Sequence, residues 1–287
     1  MIPAAFDYTR PASLDEALSL IKSGSGSKVI AGGQSLLPLL KLRLASADRL
    51  IDIGRLAELK GVRSLPDGRL AVGALTTYAE LLESPARHYG LLHDALPTIG
   101  DVQVRNRGTV GGAIAHADPA SDLPACLLAL NAEVVVRSSQ GERTIPIVEF
   151  FQDSFQTAIA EDELLTEVRL PGPRDDAGSA YASLEQPASG YAIVGVAAVV
   201  IRPDTSGPIT AATVAITGAG PVAYRATAVE SALIGSDGSA AAIATAAAHA
   251  TDGVTVNSDI HADREYRTEM ARVFTIRAIE AALGRLG

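Results

Sequence analysis

Tryptophan is absent and aromatic residues make up only 4% of the chain, so any core must be built from aliphatic side chains. The single cysteine, Cys126, excludes an intrachain disulfide and any metal cluster held by several cysteines of this chain. Its setting between Leu123 and Leu128 predicts a buried structural thiol. Nor is there an apolar run of the roughly 18 residues that a membrane-spanning helix needs. Met1-Ile2-Pro3-Ala4-Ala5-Phe6-Asp7 lacks the basic stretch followed by an apolar one that marks a secretory leader. A cytoplasmic protein is expected.

Positive charge is also scarce. Against 33 Asp and Glu stand 24 Lys and Arg, a formal charge of -9, so the general positive field that attracts nucleic acid or anionic membrane is missing. His88, His93, His116, His249 and His261 are scattered without metal-ligand spacing, and no metal site is expected.

What is present is length and a clear order of elements. At 287 residues the chain can form two domains. Ser13-Leu14-Asp15-Glu16 predicts a capping box opening a helix, with Leu14, Ala17, Leu18 and Ile21 on one face and Gly24 as its stop. Strands are expected over 28–31, 49–53 and 69–73, and Thr77-Tyr78-Ala79-Glu80 opens a second capped helix, giving a β-α-β opening. A hairpin is expected from 132–137 and 143–147, then a strand over 164–170. The Pro-, Gly- and Asp-rich 171–179 segment is the natural linker, dividing the chain into 1–173 and 178–287. Strands over 181–184, 191–201 and 213–217 come next, and helices over about 223–234, 240–251 and 262–286 end the chain. Strands followed by helices imply α+β for this part.

Two glycine segments stand out: Ala31-Gly32-Gly33-Gln34-Ser35 after the apolar Val29-Ile30, and Thr109-Val110-Gly111-Gly112-Ala113. Paired glycines let backbone N–H groups approach an anionic ligand, and two such loops suggest one large phosphate-bearing cofactor held from two sides. Neither matches the G-x-G-x-x-G or P-loop fingerprint. Alone, the first reads equally well as a tight strand-to-helix turn and the second as a β-bulge or hairpin turn. Asp122, before Leu123-Pro124, reads as a helix N-cap. His116 reads as a packed histidine, and Arg105-Asn106-Arg107 as a surface or subunit contact.

Ala31 to Pro38, Gly100 to Gly112, Ala117 to Asp122, Tyr191 to Ala197 and Asp263 to Arg267 together resemble the FAD-binding medium subunit of the molybdenum hydroxylases, whose best-known members are aerobic carbon monoxide dehydrogenase and xanthine dehydrogenase. The resemblance covers essentially the whole chain. It implies a two-lobed FAD-binding domain of the vanillyl-alcohol-oxidase type, with two α/β lobes, followed by a smaller α+β domain. Ala31, Gly32, Gly33, Gln34, Ser35 and Leu36, with Thr109, Gly111, Gly112 and Ala113, would enclose the FAD pyrophosphate. Asp122 would bond a ribityl or ribose hydroxyl, Leu165 would pack beside the rings, and Tyr191 would lie near the isoalloxazine. Molybdopterin and 2Fe-2S clusters would reside in a large and a small partner subunit of a heterotrimer, itself dimerised in a larger assembly, leaving this chain no catalytic acid or base. Where many relatives carry a basic segment ending in Asp before the Tyr, this chain has Ser183-Leu184-Glu185-Gln186-Pro187-Ala188-Ser189-Gly190, with no Lys or Arg. The rival readings are an autonomous flavin oxidase and a flavin-free scaffold homologue.

Overall fold

The computed structural model describes residues 1–24, 26–204 and 207–286. The chain opens as the β-α-β pattern requires: strands Asp7–Thr9, Ser27–Ile30 and Arg49–Asp52 form a parallel sheet with the last in the middle. Helix Leu14–Ser23 connects the first two, and helix Leu36–Leu42 connects the second to the third. Ser13 Oγ accepts from the Glu16 N–H at 3.2 Å, which is half of the expected capping box. The reciprocal bond goes one residue further back, from the Ala12 N–H to Glu16 Oε2 at 2.7 Å. At Thr77 both halves form, and helix Tyr78–Leu82 has a complete capping box with Glu80.

The next unit is a five-stranded antiparallel sheet in the order Val62–Ser64, Leu70–Gly73, Leu164–Leu170, Glu133–Ser138, Gly141–Pro146. The hairpin turn is tighter than expected, because Ser138 already pairs with Gly141 and only Ser139 and Gln140 lie between the strands. A register shift between Leu165 and Glu167 bends the central strand there. Helices Gly90–Ala95, Val110–His116 and Asp122–Ala129 pack on this lobe around an aliphatic core that includes Leu91, Leu92, Leu123, Leu127, Val134 and Val136. Cys126 belongs to that core and is fully buried.

Strand Ala177–Glu185 starts inside the segment read as a linker, so the connection is shorter than its composition suggested. It opens a second antiparallel sheet, followed by Ala192–Ile201, Ala211–Thr217 and the short Tyr224–Arg225. Tyr224–Arg225 replaces the beginning of the helix expected over 223–234, which starts only at Thr227 and runs to Leu233. Helices Ala240–Ala247 and Arg264–Leu283 complete the chain.

Both faces of this sheet are buried. Ala180, Val196, Ala198, Val214 and Ile216 face the C-terminal helices, while Tyr181, Ala197 and Ala215 join the core of the preceding lobe. That is why 191–201 is almost continuously apolar instead of alternating. The small side chains of Ala197 and Ala215 let the sheet lie close against helix Asp122–Ala129. The contact between the two halves is therefore a shared core and not a polar seam.

Arg267, 4% exposed, ties the last helix to two strand ends. Its guanidinium donates to Ile193 O at 2.6 Å, Gly218 O at 3.0 Å and Asp259 Oδ2 at 2.6 Å. Arg267→Met is expected to lower the unfolding free energy by about 2–4 kcal/mol, because each orphaned buried carbonyl costs roughly 1–3 kcal/mol. Asp259→Asn keeps an oxygen for the His261 and Ala262 N–H groups and leaves both carbonyl bonds of Arg267 in place, so it should cost less than Arg267→Met. Urea denaturation of both variants tests this; equal losses would mean that the ion pair, and not the carbonyl bonds, carries the stabilisation.

Candidate cofactor-binding site

The first glycine loop leaves strand Ser27–Ile30 and enters helix Leu36–Leu42. Gly33 has φ +75°, a conformation that a β-branched residue strongly disfavours. Gly32 has no room for a side chain, since a Cβ there would lie 2.1 Å from Arg107 O. Among the described residues, no hydrogen bond engages the backbone N–H of Gly32, Gly33, Gln34, Ser35 or Leu36. Five consecutive unpaired donors are a concentrated source of positive potential.

The second segment is built differently from either turn expected for it. Residues Val110–His116 form a helix, and Thr109 is its N-cap, with Oγ1 accepting from the Gly112 N–H at 3.1 Å. Its remaining early donors are also taken: Val110 N–H by Thr76 O, Gly111 N–H by Ala74 O and Ala113 N–H by Thr109 O. This segment has no spare donors for an anion, and its glycines act by clearance. A Cβ on Gly111 would lie 2.6 Å from Ala74 Cβ. At Gly112 the nearest atom beyond the Thr109 cap is Ala31 Cβ, 3.9 Å away, so the two segments face each other across a narrow gap.

That gap opens into a cavity of about 530 Å³, within the range of small-molecule sites. Ala31, Gly32, Gly33, Gln34, Ser35, Leu36, Thr109, Gly111, Gly112, Ala113 and Leu165 all border it. A smaller cavity of about 180 Å³ shares Gln34, Ser35, Tyr78, Ala113 and His116 with it and adds Asp122 and Tyr191. Every site residue expected from the sequence thus borders one of two adjoining cavities. Lys28, Tyr78 and Phe155 also line them but were not singled out in the sequence. Lys28 is the one Lys or Arg among the described lining residues, and an exposed lysine on a strand leading into a glycine loop was the available signal.

Asp122 is not the N-cap. That position is Ser121, which makes no side-chain cap bond, and Asp122 is the first residue of helix Asp122–Ala129. Its carboxylate, 4% exposed, accepts from the Tyr181 hydroxyl of the C-terminal sheet. Burial pushes the carboxyl up to about 7, while the Tyr181 bond acts in the opposite direction. Burial also raises the Tyr191 phenol, whose hydroxyl interacts with Ser35 of the first loop. The 119–121 backbone is gripped by the same sheet: Thr217 Oγ1 donates to Pro119 O and Ser121 O at 2.8 Å, and the Gly218 N–H donates to Pro119 O at 2.8 Å.

His116 packs tilted against Phe155, ring centroids 5.1 Å apart, in keeping with a packed histidine. Arg105 is not turned outward; it donates to Ile99 O at 3.2 Å and Gly100 O at 2.7 Å and so fixes its own loop. Gln186 likewise serves its own turn, its Oε1 accepting from the Ala188 and Ser189 N–H groups. Among the described residues there is no group of three or more His, Cys, Asp or Glu suited to a metal ion. No helix among them is long and apolar enough to cross a membrane.

Residues 4–173 match the family described as the FAD binding domain in molybdopterin dehydrogenase, and residues 179–282 match the CO dehydrogenase flavoprotein C-terminal domain. The chain is 37% identical to the carbon monoxide dehydrogenase medium chain of Hydrogenophaga pseudoflava over 99% of each protein. It is 38% identical to the 6-hydroxypseudooxynicotine dehydrogenase complex subunit alpha of Paenarthrobacter nicotinovorans, over 99% of this chain and 97% of that one. The solved carbon monoxide dehydrogenase from Hydrogenophaga pseudoflava superposes with a TM-score of 0.95, at 38% identity, covering 100% of both chains. The chain belongs to the FAD-binding medium chains of the molybdopterin dehydrogenases and is an oxidoreductase subunit.

Proposed function

We propose that this chain is the electron-transfer subunit of a cytoplasmic molybdenum hydroxylase, a heterotrimer that pairs into a larger assembly. A molybdopterin-bearing large subunit would oxidise the substrate, and a 2Fe-2S small subunit would deliver the electrons to the FAD of this chain for release to an external acceptor. The observation that carries this reading is the set of free N–H groups at 32–36, in residues that border a cavity across which Gly112 leaves space.

The residues fit the cofactor. The free amides of the first loop, with Lys28 nearby, complement a pyrophosphate. Gly112 leaves a cradle that a side chain would fill. Leu36, Ile53, Leu75, Leu164 and Leu165 supply apolar wall for a ring system, which they also shield from water. Asp122 presents an acceptor for a ribityl or ribose hydroxyl, and Tyr191 covers the smaller cavity at the flavin end. Bound FAD would supply the exchange between single-electron and two-electron partners. The chain itself contributes binding, orientation and exclusion of water. Substrate chemistry is assigned to the large subunit because, among the described residues, the cavity walls hold no metal-ligand group; of their acidic and basic side chains, Asp122 is engaged by Tyr181, and His116 lies 4.0 Å from Asp118.

Gly33→Val should abolish FAD retention, since the valine meets positive φ and a Cβ would sit 3.0 Å from Leu37 Cδ1. Flavin absorbance per protein after purification measures it, and full flavin content would remove the first loop from the site.

Oxidation of an organic substrate is expected only after the large and small subunits are added. Anaerobic bleaching of the isolated chain by such a substrate alone would instead support an autonomous oxidase, and a colourless wild-type protein would support the scaffold reading.

Because no cation occupies 183–190, a lysine introduced at Ser189, which lines the smaller cavity, should raise the flavin midpoint potential. A unit charge roughly 5 Å away at an effective dielectric near 20 is worth about 3 kcal/mol. For a two-electron couple that is on the order of 70 mV, which screening at this exposed position reduces to tens of millivolts. Redox titration of Ser189→Lys decides, and an unchanged or lowered midpoint would mean that residue 189 does not face the flavin.

A further inference from the structure

The carboxylate bordering the smaller cavity is oriented by a residue from the other half of the chain. Tyr181, on strand Ala177–Glu185, donates its hydroxyl to Asp122 Oδ1. Its own N–H is fixed to Asp94 Oδ2 at 3.0 Å. Space for the hydroxyl exists because the neighbouring strand carries glycine at 195, where a Cβ would lie 2.0 Å from Tyr181 Oη. A glycine in the middle of a buried strand weakens it, and here its absent side chain makes room for one oxygen atom.

The other titratable groups acting on Asp122 are Glu185 at the end of the same strand, Asp118 in the preceding loop, Tyr191 in the 186–191 turn, Tyr78 and, on its own helix, Cys126. His116, which borders the same cavity, lies 4.0 Å from Asp118, and no Lys or Arg is among these groups. Among the described residues, Tyr181 is the one side chain that donates to the Asp122 carboxylate.

We propose that Tyr181 is a positioning residue of the flavin site: by donating to Asp122 Oδ1 it turns the carboxylate so that its second oxygen is presented to a hydroxyl of the cofactor. The C-terminal sheet thereby completes a site whose loops all come from the first half of the chain. This inference rests on FAD occupying the two cavities.

The test is FAD affinity of the full-length chain, stripped of flavin and titrated by fluorescence quenching across pH values bracketing about 7. A carboxylate accepts from a hydroxyl more strongly than a carboxylic acid does, so wild-type affinity should fall as the pH drops through the Asp122 titration. Tyr181→Phe keeps the ring in the core, and should weaken binding by roughly tenfold and move this step to higher pH, because the bond favouring the charged form is gone. Asp122→Asn should bind weakly with no step. Wild-type affinity and an unshifted step in Tyr181→Phe would overturn the proposal, as would a variant that is less stable to urea yet keeps the wild-type profile. Wild type serves as the control: if the stripped wild-type chain does not rebind FAD, the cofactor reading fails and this inference with it. If wild type rebinds FAD and Tyr181→Phe behaves identically, the positioning role alone is refuted.

Discussion

The hold of the C-terminal sheet on residues 119–122 is the constraint on which the rest of the site depends. Thr217, Gly218 and Tyr181 reach the Pro119 and Ser121 carbonyls and the Asp122 carboxylate, and the Ala192 N–H donates to Ala120 O at 3.2 Å. These bonds fix where helix Asp122–Ala129 begins, and so where its carboxylate enters the cavity wall. The sheet ends that make them are secured in turn by Arg267 at Ile193 O and Gly218 O. Packing in the second half of the chain therefore sets geometry in the first.

The two glycine loops look equivalent in sequence but differ physically. One is electrostatic, a run of uncommitted amides at 32–36. The other is steric, a helix start whose donors are all spent, where Gly111 allows close packing on Ala74 and Gly112 leaves space toward Ala31. The aromatic-poor composition fits the same economy of space: alanines at 197 and 215 let a sheet approach a helix closely enough for Tyr181 to reach Asp122.

Much of this was legible in the sequence, and what was missed has physical reasons. The strand at Leu164–Leu170, the Thr77 cap and the parallel opening followed from local pattern and capping chemistry. So did the glycine segments and the family they resemble. Thr109 as an N-cap was hidden because two glycines in a first turn look like a loop; the helix is retained because Thr76 O and Ala74 O occupy its free donors. Strand Tyr224–Arg225 was read as helix because two residues carry no periodicity. Tyr181 could not be connected to Asp122 at all, since no spacing rule joins residues 59 positions apart.

The uncommitted amides at 32–36 have a consequence for the amount of protein present. Without an anion they rely on water alone, so a ligand that binds only the folded chain completes the backbone bonding of that loop. By mass action such a ligand adds about 2.7 kcal/mol of stability when its free concentration is a hundred times its dissociation constant. Starved of flavin, the folded chain loses that protection and meets the cell's proteases more often in its open form. Flavin supply, and not only the polypeptide's own contacts, then bears on how stable the folded subunit is.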